Sequence, residues 1–152
     1  MAIKLINSFK LAKPSLLRPF FDSYIADCTH AELKFNIPGI VILTFAAYCS
    51  KLNPFPSDNN LFGFAKNDSS SPPGYYNCTS DSIFQFAHFI SKVVDFSGCV
   101  ELMDVCKKII DSPFSHCFLD KPAEAQSFCE KALPCFFNLA FDAENIKVEG
   151  RR

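Results

Sequence analysis

Residues 38–66 read Pro38-Gly39-Ile40-Val41-Ile42-Leu43-Thr44-Phe45-Ala46-Ala47-Tyr48-Cys49, then a polar, proline-broken connector from Ser50 to Asp58, then Asn59-Asn60-Leu61-Phe62-Gly63-Phe64-Ala65-Lys66. The first part is apolar nearly all round yet far shorter than the ~20 residues of a membrane span. Such a segment is a buried helix, and the rest of an α-rich domain has to close around it. The last part is a compact Asn/Gly turn packed by aromatic rings.

Before this stretch, Pro14 and Pro19 mark the approach to a first helix, with proline tolerated in its opening turn. Phe20, Phe21, Tyr24, Ile25 and Cys28 recur at helical spacing and predict a core-facing stripe that runs to about Leu33 or Phe35. Asn36-Ile37-Pro38 breaks that helix and restarts the chain. From Leu52 to Asn77, prolines and Asn/Ser clusters predict loop. Short strands at Leu61–Ala65 and Tyr75–Cys78 are expected to pair as a small hairpin.

Thr79, Ser80 or Asp81 can cap a third helix whose apolar face holds Ile83, Phe86, Ala87 and Ile90, and which Ser97-Gly98 ends. A fourth helix, Cys99 to Ile110, stops at Asp111-Ser112-Pro113. A last helical region begins near Asp120–Pro122, where Pro134 should kink or split it. The expectation is a mainly α fold of five or six helices around the helix near 38–50, with a vestigial hairpin near 61–78. Residues 1–13 read as a flexible basic arm, 14–141 as one domain and 142–152 as a charged, frayed tail.

The chain has 152 residues, long enough to build a core without a metal or disulfide staple. Lys and Arg number 15 against 16 for Asp and Glu, so no global field favours nucleic acid. The first twenty residues lack the continuous apolar core of a signal peptide, so the expected location is the cytoplasm as encoded, with export by a signal-less route left open. Eight cysteines, Cys28, Cys49, Cys78, Cys99, Cys106, Cys117, Cys129 and Cys135, show no CxxC spacing. Most fall at apolar helical positions and read as reduced core thiols, with four bridges as the alternative in a secreted chain. His30, His88 and His116 are scattered, so no zinc site or cofactor is expected. The sequons at Asn67 and Asn77 matter only in a secretory lumen.

The order of features resembles bacterial peptidoglycan N-acetylglucosaminidases of the lysozyme-like superfamily, the flagellar-rod muramidase type, over roughly residues 20–95. The carriers are Asn36-Ile37-Pro38-Gly39-Ile40-Val41-Ile42-Leu43, the turn Asn59-Asn60-Leu61-Phe62-Gly63, and Tyr75-Tyr76-Asn77-Cys78-Thr79-Ser80 leading into a helix. The resemblance implies an α+β lysozyme-like fold. In that family the buried helix ends Ala-Leu-Glu-Ser-Gly-Trp-Gly, and its Glu is the general acid. Here the same register reads Ala47-Tyr48-Cys49-Ser50-Lys51-Leu52-Asn53, so Cys49 stands at the acid's position. The family's late Gly-Tyr-Ala-Thr-type motif has no counterpart. Glycoside cleavage needs a carboxyl to protonate the leaving oxygen, and a thiol substitutes poorly.

The expected function is therefore an inactive glucosaminidase-like domain kept as a binding module. A protein partner is favoured over a glycan or muropeptide, and a bacterial effector or phage-encoded protein would fit. Groove candidates are Tyr48, Asn59, Asn60, Phe62, Tyr75 and Tyr76. One alternative is a thiol enzyme pairing Cys49 with His88. Another is a weak peptidoglycan hydrolase using Asp58 or Asp68.

Overall fold

In the computed structural model of the chain, residues 14–64 and 72–150 are described, with side chains for 15–64 and 72–142. The basic arm at 1–13 lies outside the described residues. The first helix, α1 (Pro14–Phe35), ends where Asn36 turns left-handed at φ 58° and donates its amide to Glu32. Ile37 is buried, and Pro38 starts α2 (Gly39–Ser50).

No side chain at Pro38 caps α2. Instead the Glu32 carboxylate, one turn from the end of α1, accepts the Gly39 amide at 2.5 Å. A carboxylate at a helix N-terminus satisfies an orphan donor and meets the positive end of the macrodipole. The helices also touch backbone to backbone here, because a Cβ on Gly39 would sit 2.9 Å from the Cys28 carbonyl oxygen. Glycine is what allows α1 and α2 to cross so closely.

All residues of α2 from Val41 to Ala47 are buried, as the sequence predicts. Its Thr44 hydroxyl is satisfied by the Ile40 carbonyl at 2.7 Å. Helix α3 (Thr79–Val93), α4 (Leu102–Asp111) and α5 (Pro122–Gly150) complete a mainly helical fold, joined by short 3-10 turns at Ser57–Asn59 and Ser115–Cys117. A reciprocal capping box between Glu101 and Asp104 starts α4. The centre of the core is aromatic. Phe62 stacks flat on Phe86 at 4.0 Å, and Phe118 meets Phe86 edge-on at 5.2 Å. Such pairs add about 0.5–1.5 kcal/mol each beyond the area they bury.

Several expectations change. None of Thr79, Ser80 or Asp81 caps α3, whose N-cap is Cys78 with no side-chain cap bond. Among the described residues no strand forms, so the hairpin is absent at 61–64 and 75–78. The amides that would pair are spent elsewhere: Phe64 donates to the Asn60 side chain, and Tyr76 donates to Asp58. Pro134 does not split α5, which continues through it. Both Pro134 and Glu130 are exposed, so the Glu130 carbonyl deprived of a helical donor can turn to water. The tail from Asp142 stays helical to Gly150. Five helices form among the described residues, within the range the sequence sets.

Gly39→Ala should lower stability by about 1–3 kcal/mol in urea titration, because the methyl would have to push backbone aside. An unchanged or higher midpoint, the ordinary helix-propensity outcome, would show that the α1–α2 crossing is not backbone-limited.

Candidate functional site

The Asn turn is built by its own side chains. Asp58 and Asn59 are left-handed (φ 58° and 57°), a conformation Asp and Asn tolerate. Asn59 Nδ2 donates to the Tyr76 carbonyl at 2.9 Å, tying the 72–77 segment to the turn. Asn60 Nδ2 donates to the Phe64 carbonyl at 2.9 Å, while its Oδ1 accepts the Phe64 amide at 3.2 Å. Phe62 is buried. These three candidates hold the frame rather than face a ligand.

At the end of α2, Cys49 Sγ donates to the Phe118 carbonyl at 3.3 Å. Burial pushes the thiol's pKa far up, and nearby Cys129 and Asp120 add to it. A neutral, hydrogen-bonded thiol is a poor nucleophile. Tyr48 packs on Phe128 at 5.5 Å and donates to Glu124 Oε1 at 3.2 Å; burial first, then the Glu124 charge, raises its hydroxyl pKa. It belongs to the α2–α5 contact.

His88 is elsewhere. It lies two residues from Phe86, about 200° round α3. Phe86 faces Phe45 and Phe118, next to the carbonyl that holds Cys49. His88 faces the other way, its ring 5.4 Å from Phe35. The helix thus keeps Cys49 and His88 on different sides, and no dyad forms. Asp68 lies outside the described residues.

What the fold does assemble is a groove of about 490 Å³ between the end of α1, residues 73–77 and the outer face of α3. Phe35, Phe84 and Tyr75 give it aromatic walls, and Lys34, Gln85 and His88 give it polar ones. Phe84 and Phe35 meet edge-on at 6.4 Å, and Lys34 Nζ sits 5.5 Å from the Phe35 ring centre. Tyr75 is 64% exposed and offers a face for stacking. Tyr76 also lines the groove, but its hydroxyl is buried with no partner among the described residues, and burial pushes its pKa up to about 12.

Of the sequence candidates, only Tyr75, Tyr76 and His88 share this groove. Cys49, Tyr48, Asn59, Asn60 and Phe62 do not line it. Sequence reasoning missed Lys34, Phe35, Phe84 and Gln85. The available signal was the Phe84–His88 spacing of four, a second stripe on α3 outside the core stripe.

A second groove, about 650 Å³, is rimmed by Asp95, Asp104 and Asp111 with Lys107 and Lys108. Two of these carboxylates already serve local amides: Asp95 accepts from Ser97, and Asp104 from Val100 and Glu101. Among the described residues no group of three or more His, Cys, Asp or Glu could hold a metal. No disulfide links any of the eight cysteines. No described helix is long and apolar enough to cross a membrane. No protein-family model, curated protein or solved structure matches this chain.

Exposed Cys78 should react first with a thiol reagent at neutral pH, and Cys49 only after unfolding; early Cys49 labelling would reverse this reading. The pKa values of the Cys28, Cys49 and Cys106 thiols are all raised, the first two chiefly by burial and Cys106 by its side-chain hydrogen bond with Cys129 and then by burial. Groups raised in the folded state keep their protons while the unfolded chain loses them. Stability is therefore full below the unfolded thiol pKa of about 8.5 and falls above it, by up to ~1.4 kcal/mol per pH unit for each thiol. Urea midpoints across this range check the slope.

Proposed function

We propose that this chain is a non-catalytic binding domain on a lysozyme-like, glucosaminidase-derived scaffold, taking its ligand in the groove beside Tyr75 and His88. The observation that carries the reading is a separation. The position where the resembled family keeps its acid holds a thiol hydrogen-bonded to the Phe118 carbonyl. The groove with mixed aromatic and polar walls opens on the outer side of α3. Chemistry at the first place and binding at the second would not act on the same molecule.

The scaffold half of the reading is supported by backbone conformation. Lys51 stands where the family has glycine, and it adopts the left-handed conformation that favours glycine, at φ 54°. Its amide donates to Tyr48, and that of Leu52 to Ala47, the paired bonds of a Schellman turn. A non-glycine residue in this conformation costs about 1–2 kcal/mol. The turn is thus kept where its preferred residue is missing.

The groove suits a peptide segment presenting an apolar or aromatic side chain to Phe35, Phe84 and Tyr75. Its backbone could bond to Gln85 and Asn77, which also line the groove. A muropeptide is the second ligand class. It could stack a sugar ring on Tyr75, but this would need the glycan to reach the compartment where the protein resides.

Lys51→Gly should raise stability by about 0.5–1 kcal/mol, by relieving the left-handed strain while leaving the turn in place; a loss would mean that Lys51 is not strained there. For binding, peptides selected by display against the protein, and soluble muropeptides, are titrated in turn while amide signals are followed. Shifts should centre on Tyr75, Gln85 and His88 with the selected peptides and be lost in Tyr75→Ala. Shifts centred on Cys49, or release of fragments from cell walls, would overturn the proposal.

A further inference from the structure

The four tyrosines of the chain divide by what their hydroxyls meet. Tyr24 donates to the Pro54 carbonyl, and Tyr48 donates to Glu124 Oε1 at 3.2 Å. Tyr75 is exposed to solvent. Tyr76 is the exception. It is 6% exposed, and its hydroxyl is closed off from solvent with no hydrogen-bond partner among the described residues. A buried hydroxyl left unpaired opposes folding, and native structures keep few of them.

The frame has no use for this hydroxyl. Tyr76 is held through its main chain, its amide donating to the Asp58 carbonyl at 2.9 Å and its carbonyl accepting from Asn59 Nδ2 at 2.9 Å. A phenylalanine would keep both bonds and the packing of the ring. Tyr76 lines the groove beside Tyr75, and so does Lys34, whose ammonium forms no ion pair among the described residues. One groove thus holds a hydroxyl and a cation that both lack an acceptor. The acid that also lines it, Asp81, is exposed in the first turn of α3, where the positive end of the helix offsets its charge.

We propose that the Tyr76 hydroxyl selects the groove's ligand by donating to a carboxylate, carried on a peptide whose aromatic side chain lies against Phe35, Phe84 and Tyr75. This assignment rests on that groove being the binding site and adds the chemistry of what it takes. A carboxylate accepts the hydroxyl in a charge-assisted bond, and the Lys34 ammonium supplies a field of the complementary sign. A neutral carbonyl would gain little from Lys34. To reach the hydroxyl the ligand displaces the 72–77 wall, which carries Tyr76 and has no regular structure. The bond made there offsets the cost of opening, an advantage that a ligand without an acceptor does not have.

The test uses the full chain and four capped probes at millimolar concentration, with amide and tyrosine-ring signals followed. Acetyl-phenylalanine carries a terminal carboxylate, and acetyl-phenylalanyl-glutamate amide carries a side-chain one. Acetyl-phenylalanine amide and acetyl-phenylalanyl-glutamine amide are their neutral counterparts. At least one carboxylate probe should bind about tenfold more tightly than its counterpart, and which one does so tells a chain end from an acidic side chain. Tyr76→Phe should erase that preference, leave the neutral probes unaffected and keep or raise the urea midpoint. Lys34→Gln should weaken the same probe and flatten its salt dependence. A preference that survives Tyr76→Phe overturns the proposal, as does a lowered midpoint, which would show that the fold uses the hydroxyl. Equal binding of charged and neutral probes with shifts at Tyr75 and His88 overturns it too, while leaving the groove as the binding site. Silence from all four probes, with Tyr75→Ala without effect on the selected peptides, removes the groove and this proposal together.

Discussion

The close crossing of α1 and α2 is the constraint from which the rest of the structure follows. It needs glycine at Gly39, which lies against the Cys28 carbonyl, and it needs Glu32 to reach over and take the Gly39 amide. Once α2 is held there, its apolar surface must be covered on every side, and no single neighbour can do this. α1 covers one flank, α5 another through Tyr48 and Phe128, and the Phe45–Phe86–Phe118 rings seal a third.

The same arrangement divides structure from candidate function. The core face of α3 carries Phe86 and Ile90 into the aromatic centre, and its outer face carries Phe84 and His88 to the groove. Residues that look like a site in sequence, namely the Asn turn and the thiol at the end of α2, are consumed by the frame. Asn60 closes a loop on Phe64, Asn59 holds the 72–77 segment, and Cys49 bonds to Phe118. The groove is made by residues that the frame leaves over.

Much of the helical layout was legible because it rests on local rules. The unbroken apolar run gives α2, the left-handed Asn36 ends α1, and Asp111-Ser112-Pro113 stops α4. The failures came where a local signal competes with a distant partner. Leu61–Phe64 has strand-forming residues, yet Asn60 and Ser82 claim its amides, and Ser82 lies on α3. Pro134 would break a buried helix but is tolerated on a wet face. The Cys49–His88 pairing failed for a geometric reason: a sequence shows that two reactive residues exist, whereas which side of α3 His88 takes is decided by where Phe86 packs. The groove itself joins α1 and α3 across some fifty residues of chain, a proximity that periodicity cannot report.

The tie between Asn59 and Tyr76 has a further consequence for how the groove beside Tyr75 opens. Two of its walls are helices, where any movement must break several backbone bonds together. The third is a segment without regular structure, moored to the turn by the Asp58–Tyr76 and Asn59–Tyr76 bonds. Local opening takes the path of fewest bonds. The walls are therefore unequal in stiffness, and access to the groove is governed by the 72–77 side. A molecule entering there would press on a segment held at Tyr76 by both the Asp58 carbonyl and the Asn59 side chain, so a change at Asn59 would loosen that wall while leaving Phe35 and Phe84 in place.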